Sequence, residues 1–179
     1  MDAIEAMKTR RSIKDYSGRE VSRSDLEALL DAARYSPSGA NKNPWRFVIV
    51  QDKRTLERLG ETHPYCHWLA KASAAIAILA DPASTRYWLE DCCLAAYSIW
   101  LAATAKGIGI AWSGLYQSDN AAESERRERF VRDALSIPDG LSVPIVLAVG
   151  YPSGPPAARK RPDLDEMVHW ERYTEKPAP

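Results

Sequence analysis

Apolar residues recur along the chain at helical spacing in some segments and in continuous runs in others. One helical stripe consists of Leu26, Leu29, Leu30 and Ala33. Residues 24–27, Ser-Asp-Leu-Glu, have the pattern of a capping box, which predicts that this helix begins there. The helix should end before Ser36-Pro37, because the residue ahead of a proline disfavours helical geometry.

Further elements are predicted from capping residues and apolar runs. Asp2 and Asp52 precede helical segments as candidate caps. We expect helices over residues 2–9, 52–59, 84–106 and 123–135, and strands over residues 45–51, 74–80, 108–112 and 144–150. Residues 94–105 are apolar nearly all round, which predicts a helix buried on every side, in a core or at a subunit interface. Gly107 should end that helix. Interleaved helices and strands favour one central sheet flanked by helices, in an α+β or α/β fold forming a single domain over residues 1–179.

Charge and cysteine content narrow the classes of protein. The 179 residues include 24 basic and 24 acidic side chains, so net charge gives no argument for nucleic acid or an anionic membrane as partner. The longest apolar run, residues 74–80, is too short to span a bilayer, and the acidic N-terminus does not resemble a signal peptide. Three cysteines, two of them adjacent, suggest reduced thiols packed in an interior and hence the cytoplasm. The mixed charges of residues 125–133 indicate a solvated helix face.

Two familiar kinds of site are weighed and set aside. The segment His63-Pro64-Tyr65-Cys66-His67 contains metal-ligand types, but the sequence offers no second ligand cluster, so a surface or pocket-edge loop is favoured and no metal is expected. No G-x-G-x-x-G lies between a strand and a helix, and no P-loop is present, so a Rossmann or P-loop nucleotide site is not predicted.

Polar segments spaced along the chain suit a different ligand. Arginine clusters lie at 10–12 (Arg-Arg-Ser) and at 159–161 (Arg-Lys-Arg), with a Ser/Asn-rich loop at 37–45 and a Gly-rich turn at 107–114 between them. Arginine binds phosphate through two parallel hydrogen bonds, so this set suits a ligand with a phosphate at one end and a flat, polar-edged ring at the other. Taken singly, the arginines could be helix-terminal cations or a solvated turn, and the loop asparagine a turn residue. Their joint occurrence favours the ligand hypothesis.

In this order and at this spacing, the segments resemble the nitroreductase superfamily of FMN-dependent oxidoreductases in its short form. The resemblance extends over essentially the whole chain and includes Asp91, the apolar helix after it, and the final Val168-His169-Trp170 segment. One position departs from the pattern, because Asn43 stands where the family usually has glutamine. No inserted lid is visible near residues 80–88, which suggests an open or dimer-lined pocket.

The resemblance implies an α+β fold with a mostly antiparallel sheet and an intertwined homodimer that binds FMN at its subunit interface. It implies that the phosphate and ribityl end of FMN is held by Arg10, Arg11, Ser12, Arg159 and Arg161. Lys14 would reach the pyrimidine edge of the ring. The partner subunit would bring a loop with Pro37, Ser38 and Asn41, and the main chain at Trp112, Ser113 and Gly114 would lie on the other side of the ring near N5.

The implied activity is FMN-dependent NAD(P)H oxidoreduction. NADH or NADPH would pass hydride to flavin N5 by ping-pong exchange, and a nitroaromatic, a quinone or a similar small acceptor would then be reduced, without a catalytic nucleophile. Three alternatives stay open: another flavin chemistry on the same fold, such as dehalogenation, enoyl reduction or oxidative breakdown of the flavin; a non-catalytic FMN-binding protein; and a dimeric scaffold that has lost its ligand.

Overall fold

The computed structural model describes residues 1–175, which form helices on both faces of a four-stranded antiparallel sheet. The helices are α1 (Ala3–Thr9), α2 (Arg23–Arg34), α3 (Lys53–Leu59), α4 (Trp88–Ala105), α5 (Ala121–Leu135) and α6 (Leu164–Met167). The strands are β1 (Arg46–Val50), β2 (Ala74–Ala80), β3 (Gly109–Gly114) and β4 (Ser142–Gly150), in the spatial order β1-β2-β4-β3. Short 3-10 turns occupy Gly39–Asn41 and His67–Lys71. The α+β class and the mostly antiparallel sheet are confirmed.

The two central strands separate two halves of the core. Every residue of β2 is buried, as the continuous apolar run predicts. Since successive side chains of a strand point to opposite faces, Ile76 and Ile78 pack on one side, with α2 and α4, while Ala75 and Ala77 pack on the other, with α3 and α5. Between residues 1 and 175, no helix combines the length and apolar character needed to cross a membrane.

Helix starts follow local capping chemistry with one correction. Asp2 and Asp52 cap α1 and α3, each carboxylate accepting a hydrogen bond from a backbone N–H three residues on. The expected start of α2 at Ser24 is wrong, because the cap is Ser22, whose hydroxyl accepts from the Asp25 N–H. Both serines suit a cap by type, and the chain enters the helix at the earlier one.

Helix α4 is shorter and less enclosed than its sequence predicts. It begins at Trp88 rather than at 84, because residues 81–87 form turns. Leu94 and Tyr97 are 41% and 38% exposed, so one side of the helix faces outward within a single chain. Gly107 ends the helix as expected, with φ of 72°, while the next amide donates back to Ala103.

The charged helix α5 is not wholly solvated, which corrects the sequence expectation. Glu128 is only 6% exposed, and its Oε2 accepts from the Ser142 hydroxyl at 2.6 Å and from the Val143 N–H at 2.7 Å. This carboxylate therefore ties α5 to the start of β4. Sequence alone could not separate Glu128 from its neighbours, because its partners lie 14 and 15 residues further along the chain.

Candidate functional site

The segment after α1 is held against the ends of two strands. Ser12 forms a parallel bridge with Ile110, and the Ile13 N–H donates to the Ile110 carbonyl at 2.9 Å. Four residues on, Tyr16 bridges antiparallel to Pro152. These contacts place residues 11–16 between the first residues of β3 and the chain that leaves β4.

Two glycines permit this close approach. A Cβ on Gly109 would lie 2.7 Å from the Ile13 Cβ, and a Cβ on Gly150 would lie 2.6 Å from the Tyr16 Cδ1. Only a residue without a side chain leaves room for the segment at these two points. The Tyr16 hydroxyl donates to the Ile13 carbonyl at 2.7 Å, and burial, followed by the nearby Asp15 carboxylate, raises the pKa of that hydroxyl.

Beside this segment lies a cavity of about 700 Å³ that brings together residues far apart in sequence. Five of the predicted cofactor residues line it: Arg11, Ser12, Lys14, Trp112 and Arg159. Residues 153–158, which no sequence motif singled out, complete a wall, together with Ile13 and Asp15. The volume is within the range of ordinary cofactor pockets. The lining includes three cationic side chains and one carboxylate, so the cavity favours an anionic ligand.

The hydrogen bonds of Arg11 within the chain satisfy only part of its guanidinium. Its Nη1 donates to the carbonyls of Lys8 at 2.9 Å and Arg10 at 2.8 Å, whereas its Nε is buried without a partner in the described chain. Lys14 extends over the buried Trp68, with Nζ 5.8 Å from the ring centroid. Two guanidinium groups, an ammonium and a hydroxyl that line one cavity fit the phosphate and polar ring edge of FMN.

Two predicted phosphate ligands lie elsewhere. The Arg10 guanidinium lies 4.4 Å from the Trp100 ring centroid, and that indole stacks on Trp112 at 6.2 Å, so Arg10 meets the cavity only through this aromatic pair. Arg161 is exposed and does not line the cavity. Direct contacts of Arg10 and Arg161 with a phosphate remain predictions.

Strand β3 divides its predicted residues between two faces. Trp112 faces the cavity, whereas Ser113 is 1% exposed and its Oγ lies 2.9 Å from the Nε2 of His63. The Gly114 carbonyl accepts a hydrogen bond from Arg127. Contact of a cavity ligand with residue 113 would therefore use the main chain.

His63 is buried, although the segment at 63–67 to which it belongs is a loop with Pro64, Tyr65 and His67 exposed, as the sequence predicts. It is 9% exposed, and Cys66 beside it is fully buried. The Nδ1 of His63 accepts from the Tyr65 N–H at 3.2 Å, so Nε2 carries the proton and donates to Ser113. Burial, and then the neighbouring Arg127 and Arg126 guanidinium groups, lower the pKa of His63. The sequence offered no signal for this pair, because its members are 50 residues apart.

The loop with Pro37, Ser38 and Asn41 does not line the cavity of its own chain. It lies at the start of α4, where the Gly39 N–H donates to the Asp91 carboxylate at 2.9 Å. The structure therefore places five of the predicted cofactor residues around the cavity and three in this loop.

Comparison with known proteins agrees with this fold. The family model described as Nitroreductase family matches residues 7–63 and 61–151, and the chain belongs to this family. A Methanothermobacter thermautotrophicus protein named "Putative NADH dehydrogenase/NAD(P)H nitroreductase" is 36% identical over 97% of this chain and 88% of its own length.

Two solved structures share the fold over nearly their whole length. The Bacteroides thetaiotaomicron "Putative NADH dehydrogenase/NAD(P)H nitroreductase" superposes with a TM-score of 0.87 and 30% identity, covering 96% of this chain and 98% of that one. An "FMN-dependent Nitroreductase" from Clostridium difficile superposes with a TM-score of 0.86 and 31% identity, covering 95% and 99%. The resemblance drawn from sequence is confirmed at the level of the family.

Proposed function

We propose that the protein is an FMN-dependent NAD(P)H oxidoreductase that reduces small acceptors such as nitroaromatics or quinones. The observation that carries the proposal is the basic cavity in which Arg11, Ser12, Lys14 and Arg159 converge beside Trp112. Membership of the family, and the names of relatives that include NAD(P)H nitroreductase and FMN-dependent nitroreductase, support it.

The side chains of the cavity would divide the work of binding. Arg11 and Arg159 would hold the phosphate through charge-assisted hydrogen bonds, with the Ser12 hydroxyl beside them. The ammonium of Lys14 would stabilise negative charge at the pyrimidine edge of the ring, and Trp112 would exclude water from one side. Bound FMN would supply the hydride chemistry, by ping-pong exchange between NADH or NADPH and the acceptor through N5.

The thiols of the chain are unsuited to nucleophilic catalysis. All three cysteines are free, and burial raises the pKa of Cys92 to about 12 and that of Cys66 above its usual range. A thiol with a raised pKa stays protonated and is a poor nucleophile. Free thiols also support the proposed cytoplasmic location.

A homodimer would complete the site. Apolar side chains of α1 and α4, which pack on each other, are exposed in the single chain: Ile4 by 59%, Met7 by 43%, Leu94 by 41% and Tyr97 by 38%. An apolar face of this kind is typical of a subunit interface. A second copy covering it would bring the loop with Pro37, Ser38 and Asn41 towards the cavity. Light scattering of the purified protein tests the dimer, and Leu94→Lys should shift it towards monomer.

Rapid mixing under anaerobic conditions tests the activity. The protein loaded with FMN is mixed with NADH and, separately, with NADPH, and the oxidised flavin band is followed. Fast loss of the band with either nucleotide, followed by recovery with a quinone or a nitroaromatic, is the expected result. Bound flavin that neither nucleotide reduces would instead indicate a non-catalytic FMN protein or a different electron donor.

A matched pair of variants tests the binding residues. Arg159→Ala should weaken FMN binding at least tenfold, because a charge-assisted hydrogen bond contributes about 1.5–3 kcal/mol. Lys160→Ala is the control, since this neighbouring cation does not line the cavity. Equal effects of the two substitutions would show that only general charge matters and would contradict the site.

A further inference from the structure

The loop at residues 38–43 has an unusual backbone. Ala40, Asn41 and Asn43 have φ angles of 50°, 55° and 47°, a left-handed conformation that residues other than glycine and asparagine rarely adopt. Three such residues within four positions, with Ala40 the one whose side chain is disfavoured there, form a segment that persists only where its surroundings hold it.

Hydrogen bonds inside the loop supply part of that restraint. The Ser38 hydroxyl donates to the Asn43 Oδ1 at 3.1 Å and accepts from the Asn43 N–H at 3.0 Å. The Asn43 Nδ2 in turn donates to the Asn41 carbonyl at 3.2 Å. These bonds close the loop on itself, but they do not fix its position on the rest of the protein.

Asp91 connects the loop to the body of the fold. Its Oδ1 accepts from the Gly39 N–H at 2.9 Å, and it lies in the first turn of α4 with 2% exposure. Its Oδ2 is buried without a partner in residues 1–175. The carboxylate has therefore lost its hydration and has gained few hydrogen bonds in exchange. The Tyr87 ring packs closely against Gly39, since a Cβ on this glycine would lie 2.5 Å from the Tyr87 Cδ2.

We propose that Asp91 is a positioning residue for the cofactor, holding the loop of residues 38–43 in the conformation that meets the flavin of the partner subunit. The inference rests on the proposed function. Without the Gly39–Asp91 bond, the left-handed residues would relax towards ordinary backbone angles, and FMN binding would have to restore the order at the expense of affinity. Burying a carboxylate with a single hydrogen bond lowers the stability of the fold. Asp91 is therefore better explained by a role in positioning the loop than by a contribution to stability.

Three substitutions separate positioning from stability. Asp91→Asn keeps an oxygen able to accept from Gly39, whereas Asp91→Leu removes the acceptor at similar size. Ile99→Val is the control, because Ile99 is fully buried on the same helix and belongs to the core cluster on one face of the sheet. If Asp91→Leu does not fold, Asp91→Ser replaces it. The serine side chain is one bond shorter than that of aspartate, so its hydroxyl is too far from the Gly39 amide to accept the hydrogen bond.

Two readouts are compared on the full chain, FMN affinity by flavin fluorescence and hydrogen exchange of the peptide spanning residues 37–45 without FMN. We expect Asp91→Leu to weaken FMN binding about tenfold, equivalent to about 1.4 kcal/mol, and to speed exchange of the loop about tenfold. Asp91→Asn should stay within about threefold of wild type for both, and Ile99→Val should change neither, although it lowers the melting temperature.

The outcomes distinguish this inference from the proposed function. Wild-type FMN affinity in Asp91→Leu, or an equal loss in Ile99→Val, would overturn the positioning role. A wild-type protein that takes up no FMN would refute the proposed function, and unchanged exchange of the loop in Asp91→Leu would then refute the anchoring as well.

Discussion

Replacing Gly109 by alanine should separate the segment after α1 from the sheet and damage the cavity. The added Cβ would lie 2.7 Å from the Ile13 Cβ and 2.8 Å from two further carbons of that side chain. Carbon atoms pack best at about 3.5–4.0 Å, so the Ile13 side chain must move by roughly 1 Å. Its neighbours Ser12 and Lys14 line the cavity and would move with it.

The expected loss of stability follows from this clash. Overpacking of a well-filled core costs about 1–3 kcal/mol. Loss of glycine freedom in the unfolded chain offsets about 0.4–1 kcal/mol of that cost. A net loss of about 1–2 kcal/mol corresponds to a melting temperature about 2–8 °C lower for a chain of this size. FMN affinity should fall as well, because two lining residues are displaced.

Thermal unfolding by circular dichroism and FMN titration by fluorescence test both parts of the prediction. Gly154→Ala is the matched control, because this glycine also lines the cavity but a Cβ added to it would meet no atom within 4 Å. The prediction is refuted if Gly109→Ala has the same melting temperature and FMN affinity as the control. In that case the Ile13 side chain moves without displacing Ser12 and Lys14, and the proposed coupling between β3 and the cavity is wrong.

Three further perturbations concern other parts of the molecule. Glu128→Ala should lower the free energy of unfolding by about 3 kcal/mol in urea titrations, because the buried Val143 amide and the partly buried Ser142 hydroxyl lose their acceptor. The same substitution at the exposed Glu125 should change it by less than about 0.5 kcal/mol. Burial and nearby guanidinium groups lower the pKa of His63 in the folded protein. As the pH falls, this histidine is therefore protonated in the unfolded chain before it is protonated in the folded one. The stabilisation should be complete above about pH 6.5, the pKa of an unperturbed histidine, and should decrease as the pH drops below it. His63→Gln should flatten that slope in melting curves taken from pH 7.5 to 5, and an unchanged slope would assign the pH dependence to other groups. Cys66 and Cys92, both buried with raised pKa values, should not react with a thiol reagent at pH 8 until the protein is unfolded, and rapid labelling of the native protein would contradict their burial.

Local patterns in the sequence predicted much of the scaffold. Asp2 and Asp52 cap the helices that they were expected to cap, and the apolar run at 74–80 is a buried strand with the expected bounds. Gly107 ends α4. Each of these features depends on residues within one or two turns of each other, so the determining interactions are visible in a short stretch of sequence.

Spaced motifs also determined the family, but not the arrangement of the site. The order of the arginine, Ser/Asn-rich and Gly-rich segments pointed to the nitroreductase family, and that assignment is confirmed. Tertiary structure decided which of these residues share a cavity, since Arg11 and Arg159 meet there whereas Arg10 lies against Trp100. The direction of a side chain depends on its neighbours in space, and no periodicity records them.

Burial of polar groups likewise belongs to the tertiary structure. Glu128 stands in a run of charged residues but is enclosed, because β4 begins beside it. His63 and Ser113 form a pair, and Asp91 holds the Gly39 amide across 52 residues of sequence. By itself the sequence determined the elements and the family, because these follow from local and ordered patterns. Only the folded chain decided which polar groups are buried together, because their contacts join segments that are distant in sequence.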